Sequence, residues 1–379
     1  MTARTRPGAG GPGACPACLR RSWLLGQLSA ALDYRCRDPS RFLDVFSLEQ
    51  DELLAALGGR RRAELAGRLR ELQASDLAVP DHVDALCRHD PRYPASLAGR
   101  SAPHMLFVSG GSARLRMLAR APTVAFLGSA RASDYGLETA RGLARALAAS
   151  GVTIAGSLAE GVPAAAQEGA REARGETVAV LAHGLGACPS ARRRRGLWEH
   201  LQRHGCVLSE LPCGASGRRF GALAAERTVA QLATVVVVVE AKAGSRELAG
   251  ATIARDHGRA IAAVPGRISS ALASGPHALL RQGATLVRGP EDVLELLYPE
   301  QADRAAAART LAVDGGVALT RSQRALLQAV AAGSDGPERL CDGNANPGEV
   351  LLALSELELM GLLVRGRGGR YLPRPGPAI

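Results

Sequence analysis

The chain is nearly free of lysine and poor in aromatic side chains. Lys242 is the single lysine in 379 residues, and Phe, Tyr and Trp together make up 3%. With so few rings, a core must be filled by Ala, Leu and Val, and the 46% hydrophobic content allows more than one domain. Several signatures of chemistry are also missing. No G-x-x-x-x-G-K-[ST] loop, H-E-x-x-H helix or G-x-S-x-G elbow occurs. The first glycine-rich loop does not fit G-x-G-x-x-G, and Gly184-Leu185-Gly186 runs into Cys188-Pro189, which spoils the third glycine. No cofactor is therefore expected.

Long apolar runs are lacking too. The strongest, Thr234–Val239, stops at Glu240 and is far too short to span a bilayer. The N-terminus is rich in Gly and dotted with Arg, without the apolar stretch of a secretory signal. These features predict a cytoplasmic protein with no membrane partner. The eight cysteines are scattered, which suits a reduced compartment. Cys15-Pro16-Ala17-Cys18 has zinc-like spacing, but no second C-x2-C or H-x3-H follows, so no metal is expected.

What is present is positive charge, glycine and alternation. The formal net charge of +11 favours a polyanionic partner, most simply nucleic acid, although a merely soluble basic protein has the same balance. Residues 1–20 read as disordered, being Gly, Pro and Arg without a period. Residues 21–90 carry helical periodicity, with candidate helices at Ser22–Leu32, Leu48–Leu57 and Arg61–Ala74. From Thr123 short apolar runs alternate with amphipathic stretches. The runs are Val124–Leu127, Val152–Ala155, Thr177–Leu181, Cys206–Leu208, Thr234–Val239, Ala260–Val264 and Thr285–Val287. Continuous apolar runs mark strands buried on both faces, so the prediction is an α/β, Rossmann-like, doubly wound and mostly parallel sheet. Residues 301–318 form an Ala-rich connection. Residues 319–373 carry helices at Arg321–Ala331 and Pro347–Met360, then Leu362–Arg365 and Arg370–Leu372 around a Gly-rich turn, which suggests a winged helix-turn-helix. In its second helix Val350, Leu351, Leu354 and Leu357 share one face.

Ligands of open α/β sheets bind outside the carboxyl ends of the strands. Two strand ends here are built from small residues, Gly128-Ser129-Ala130-Arg131-Ala132-Ser133 and Gly156-Ser157-Leu158-Ala159-Glu160-Gly161. Helix N-termini and glycine could seat a phosphate there, with Ser129, Arg131 and Ser133 as further donors. The same glycines equally suit tight strand-to-helix turns. Between residues 191 and 227 stand eight arginines, among them Arg192, Arg193, Arg194, Arg195 and Arg227, against Glu199, Glu210 and Glu226. Four consecutive arginines cannot all face a core, so they form a solvated loop or meet phosphates.

At this point the pattern resembles a known family. Asp90-Pro91-Arg92-Tyr93-Pro94-Ala95-Ser96-Leu97, with Pro103, Leu106 and Gly110, is similar to the lead-in of the DNA-processing proteins DprA (Smf), and Val124–Ser129 with Ser133, Tyr135 and Gly136 to their first loop. Leu208-Ser209-Glu210 with Pro212 and Gly214, Val238-Val239-Glu240-Ala241, and Ser245, Leu248, Ala251, Gly258 and Arg259 leading to Val264-Pro265-Gly266 continue the likeness, which spans about residues 20–372. The resemblance implies a Rossmann-like domain over 91–300, a small helical domain over 21–90 and a winged helix over 319–373. It further implies single-stranded DNA as ligand, a RecA-type recombinase as partner, a homodimer, a role in natural transformation and no enzymatic activity.

The sequence departs from the family in its loops. The arginine expected after Gly-Ser is Ala130, with Arg131 next. The Asp and His after the second loop are Pro163 and Gln167. The arginine-asparagine-arginine segment reads Ala225-Glu226-Arg227, and the Ser-Gly-Ser loop reads Ser245-Arg246-Glu247. The candidate DNA-contacting set is therefore Gly128, Ser129, Arg131, Ser133, Gly156, Ser157, Gly161, Arg192, Arg193, Arg194, Arg195, Arg227 and Ser245. Two alternatives stand beside this reading. One is a nucleotide N-glycosidase on a related sheet, for which the strand end Glu240–Ser245 lacks a glycine pair. The other is a protein-interaction scaffold, suggested by Glu349, Glu356 and Glu358 on the second C-terminal helix.

Overall fold

The computed structural model describes residues 14–37, 42–73, 79–99, 102–186, 192–217, 219–299, 320–331, 346–360, 362–365 and 371–373, with 76 and 340. Two compact units emerge, Met1–Pro299 and Glu300–Ile379. The first opens with helices α1 (Pro16–Gln27), α2 (Ser29–Arg35), α3 (Phe42–Ser47), α4 (Gln50–Leu57) and α5 (Arg62–Glu71). Strands β1 (Val83–Cys87) and β2 (Met105–Ser109) and helix α6 (Ser112–Leu118) follow. Then strands and helices alternate: β3 (Thr123–Leu127), α7 (Asp134–Ala149), β4 (Thr153–Ser157), α8 (Val162–Glu172), β5 (Thr177–Leu181), α9 (Arg192–His204), β6 (Gly205–Ser209), α10 (Arg219–Leu232), β7 (Val235–Val238), α11 (Glu247–Asp256), β8 (Ala260–Ala263), α12 (Ser274–Arg281), β9 (Thr285–Leu286) and α13 (Pro290–Leu297).

Nine strands form one sheet in the order β1-β2-β6-β5-β4-β3-β7-β8-β9. The seven from β6 to β9 are parallel, and each apolar run read from the sequence becomes one of them. The chain winds outward from β3 to β6, crosses back, and winds the other way from β7 to β9. The strand order therefore reverses between β3 and β7, the place where such sheets open a crevice at their carboxyl ends. Every residue of β3, β5, β6 and β7 is buried, which is why these strands read as unbroken apolar runs. Alternation sorts β3 onto two faces. Val124 and Phe126 join residues of α7 and α8, while Ala125 and Leu127 join residues of α10 and α11.

Two strands escaped the sequence reading. β1 and β2 form an antiparallel hairpin, and β2 also pairs antiparallel with β6. β1 lies inside the stretch read as helical, because Val83-Asp84-Ala85-Leu86-Cys87 is short and only partly alternating. Helix α1 begins at Pro16, inside the stretch read as disordered, and Leu28 breaks the expected helix Ser22–Leu32 into two. The front helices share a core with the sheet unit: Leu24, Leu32, Phe42, Leu53 and Leu65 pack with Phe220 and Leu223 of α10.

The second unit shows α14 (Arg321–Ala331), α15 (Pro347–Leu359) and the antiparallel pair β10 (Leu363–Arg365) and β11 (Tyr371–Pro373). Asn346 caps α15, its side chain accepting from the Gly348 amide at 3.1 Å. Val350, Leu354 and Leu357 are buried as the period predicts, but Leu351 is 45% exposed and lies off that face. The connection 301–318 and the turn 366–369 lie outside the described residues.

Candidate functional site

The crevice at the strand reversal is built by the loops after β3, β4, β5 and β7. After β3 the chain turns at Gly128, where a Cβ would come within 2.7 Å of Val162 and 2.8 Å of the Glu240 carbonyl. Gly161 has φ of +81°, and a Cβ there would collide with the backbone of Ser129 and Ala130. The Val162 amide donates to the Ser129 carbonyl at 3.1 Å, which locks the two loops together. At Gly156 the close neighbour is the Gln167 amide, 3.3 Å from a Cβ. These three glycines thus permit close packing of loop on loop and helix on strand.

The expected anion seat at the start of α7 is filled from within. Ser133 caps α7, accepting from the Gly136 amide at 3.2 Å. Its own amide and hydroxyl donate to the Glu240 carboxylate at 2.8 and 2.7 Å. A carboxylate from the end of β7 therefore occupies the favourable end of the helix, and Ser133 is a structural cap rather than a free phosphate donor. Ser129 and Ser157 turn inward on their own loops, accepting from the amides of Arg131 at 3.1 Å and Ala159 at 3.3 Å. Ser245 sits half-buried, its hydroxyl without a hydrogen-bond partner among the described residues. Arg131 is exposed at the lip.

Arg227 is corrected outright. Its side chain is fully buried, paired with Glu210, and its guanidinium lies 3.7 Å from the Phe46 ring centroid and 5.5 Å from that of Phe42. Thr228 donates to the same carboxylate. A charge so enclosed cannot reach DNA; it ties the front helices to α10. Gln167, in place of the family's histidine, is equally structural: its amide donates to the Val178 carbonyl at 3.1 Å and its oxygen accepts from Thr177.

The two altered loops meet. Arg246 Nε lies 3.2 Å from Glu226 Oε1, so the substituted residues of two separate segments form one ion pair. Burial pushes the Glu226 carboxyl up to about 8 against the pull of Arg246, with Glu247 adding to the rise. This pair floors a cavity of about 260 Å³ lined by Ser157, Leu158, His183, Trp198 and Ala225 among others. Trp198 and His183 were not singled out by sequence as site residues; His183 follows the end of β5, a position that could have signalled it, whereas Trp198 lies midway along α9.

An open groove of about 670 Å³ adjoins the same loops. Ala130 and Ala132 of the first loop, Leu158, Glu160 and Gly161 of the second, and Leu197 of α9 line it together. Helix α9 begins at the arginine run, so that run starts the helix bordering the first two loops. Arg195 is exposed and pairs with Glu199 at 3.2 Å; the side chains of Arg192, Arg193 and Arg194 lie outside the described residues. Carboxylates also face the groove, namely Glu138, Glu160 and Glu168.

Comparison with known proteins bears on the whole of this region. The DNA recombination-mediator protein A family profile matches residues 84–298. Protein Smf of Escherichia coli is 35% identical over 204 residues, 54% of each chain. The putative DNA processing protein DprA of Mycobacterium tuberculosis is 33% identical over 288 residues, 72% of this chain and 71% of its own. The chain thus spans about half the length of the first of these relatives and over two thirds of the second. The X-ray structure of DNA processing protein A from Streptococcus pneumoniae superposes with a TM-score of 0.57 at 26% identity, covering 75% of this chain and 98% of that one.

Proposed function

Because the chain belongs to the DNA recombination-mediator protein A family, we propose that it is a DNA-processing protein that binds single-stranded DNA along the lip of its strand-end crevice. It acts on this reading as a homodimer, without catalysing a reaction, and delivers the strand to a RecA-type recombinase during DNA uptake and recombination. The observation that carries the proposal is the groove shared by the loop bearing Arg131, the Gly156–Gly161 loop and the helix that begins at Arg192. Backbone phosphates need no base reading, so such a cationic border with small loops gives sequence-tolerant binding. Glu138, Glu160 and Glu168 keep phosphates off the groove floor and favour the Arg131 and α9 borders.

Trp198 supplies what an arginine rim lacks. It is half-buried in the neighbouring cavity, where a base splayed from the strand can stack on it. The nucleotide-hydrolysing alternative loses support, since the carboxylate at the end of β7, Glu240, is held by Ser133. The C-terminal unit, with two helices and a strand pair, we assign as a winged helix used for protein contact; its Glu356 is already held by Gln323 at 2.6 Å.

Titration of a labelled single-stranded oligonucleotide at several salt concentrations tests the proposal. If about four phosphates are neutralised, log affinity falls against log salt with a slope near about −3. Arg131→Ala lowers affinity by about 1–3 kcal/mol, as expected for one charge-assisted hydrogen bond. Trp198→Ala, read in a Trp23→Phe background, weakens binding by about 1–3 kcal/mol and abolishes fluorescence quenching. A flat salt response rejects phosphate-driven binding.

A further inference from the structure

Four ligand-type side chains from two distant stretches converge at one end of the edge strand. Cys15 is the N-cap of α1, and Pro16 at its first position starts the helix so that Cys18 follows one turn on. Cys87 is the last residue of β1, and His89 follows in the turn beyond it. One ligand atom from each lies within 4.8 Å of all the others. The Cys15 and Cys18 sulfurs stand 3.4 and 3.5 Å from His89 Nδ1. The Cys15 amide points at the Cys87 sulfur from 3.4 Å.

Tetrahedral zinc holds sulfur at about 2.3 Å and imidazole nitrogen at about 2.0–2.1 Å, which sets ligand-to-ligand edges of about 3.5–3.8 Å. The observed sulfur-to-nitrogen separations match those edges. Thiolates and imidazole are also the soft and borderline donors that select zinc over magnesium or calcium. Two simpler explanations fall short. Packing accounts for Cys18 and Cys87, which are 3% and 2% exposed in an apolar cluster that Cys15 also borders, but not for an exposed histidine whose ring nitrogen meets the Cys15 and Cys18 sulfurs. A disulfide would join two of the sulfurs and leave the third thiol and the imidazole without a purpose.

We propose that Cys15, Cys18, Cys87 and His89 form a structural zinc site with all four positions supplied by protein. The metal closes the chain segment that contains helices α1 to α5 and clamps the start of α1 to the end of β1. That strand stands first in the order of the sheet, so the site would tie the first front helix to an edge strand. A closed tetrahedral site leaves no position for a reacting water, so its effect is on folding and on the register of the front helices.

The full chain, purified without chelator and with a reductant, should contain close to one zinc per molecule by elemental analysis. Cobalt(II) taken up in place of zinc should give the intense visible bands of a tetrahedral, thiolate-rich centre. Cys18→Ser and Cys87→Ser should lose the metal, whereas His89→Cys should retain it. Because the cysteine variants can fail to fold, the cobalt spectrum of the unaltered protein and the exposed-site variant His89→Ala provide independent readings; His89→Ala should fold and hold zinc more weakly against a competing chelator dye. The proposal is overturned if the unaltered protein refolded with zinc stays far below one equivalent, if cobalt gives only the pale spectrum of an octahedral ion, or if thiol titration of the unfolded protein reveals a disulfide among the three cysteines.

Discussion

Replacing Arg227 separates a structural arginine from a DNA contact. In Arg227→Met the apolar stem is kept and the guanidinium removed. Glu210, 9% exposed, is then left with the Thr228 hydroxyl as its remaining side-chain donor among the described residues. Breaking a buried ion pair by removing one partner costs about 3–5 kcal/mol, because the other charge stays buried and uncompensated. The stacking on Phe46 at 3.7 Å is lost in the same step and is part of that cost, not an addition to it. Against a total stability of about 5–15 kcal/mol the loss is large. Urea unfolding followed by circular dichroism should show a much lower midpoint, while oligonucleotide affinity of the folded fraction at low temperature stays within twofold of the unaltered protein. Adding Glu210→Gln should recover part of the midpoint, since a pair removed together costs less than one broken. An unchanged midpoint with weakened DNA binding would refute the reasoning and return Arg227 to the DNA site.

Three further outcomes follow from the crevice. Glu226 in the folded chain ionises near 8, well above its ordinary 4.5, so its contribution to stability is complete below 4.5 and is lost as pH rises to 8. Glu226→Gln should flatten the stability profile across that window, by at most about 1.4 kcal/mol per pH unit; an unaltered profile removes Glu226 as the cause. Gly161→Ala forces a Cβ into the Ser129 carbonyl at a positive φ and should cost more than about 1 kcal/mol of stability, with thermal unfolding identical to the unaltered protein as the contrary result. Ser133→Ala removes the cap of α7 and the hydroxyl donor to Glu240 while the backbone amide still donates to it, lowering stability by about 1–2 kcal/mol; a loss of DNA affinity with no loss of stability would show instead that Ser133 touches phosphate.

The parallel sheet was legible because its strands are buried on both faces. Val124–Leu127 and Thr234–Val239 show no alternation, and their shortness, flanking turn residues and valine content favour a central strand over a buried helix. β1 was hidden because an edge strand keeps polar residues such as Asp84, whose carboxylate accepts from the Ser112 amide at 2.7 Å. The strand-end loops follow the strands the sequence located, but the hydrogen-bond partners of Ser129, Ser133 and Ser157 could not be read from it. A glycine before a helix reads alike whether it admits a phosphate or a neighbouring backbone. Which carboxylate fills the start of α7 depends on Glu240, brought there by the β3–β7 pairing. Arg227 likewise reads as a cation in sequence and becomes a buried pillar only when Phe46 and Glu210 close around it.

The altered segments make sense together rather than singly. A glutamate at 226 places a potential negative charge at the floor of the crevice, and an arginine at 246 a positive one. At 3.2 Å Arg246 donates to the Glu226 carboxyl, which burial holds near 8 and so mostly protonated at neutral pH, and the Arg246 charge is offset instead by Glu247, 3.9 Å away. A floor so neutralised cannot be the main electrostatic seat for a strand. On the proposed reading the attraction comes from the borders, from Arg131 and from the helix that opens with four arginines, while the cavity beside Trp198 is left for a base. Salt dependence then reports the borders, and aromatic stacking reports the cavity, as two separable contributions to one binding event.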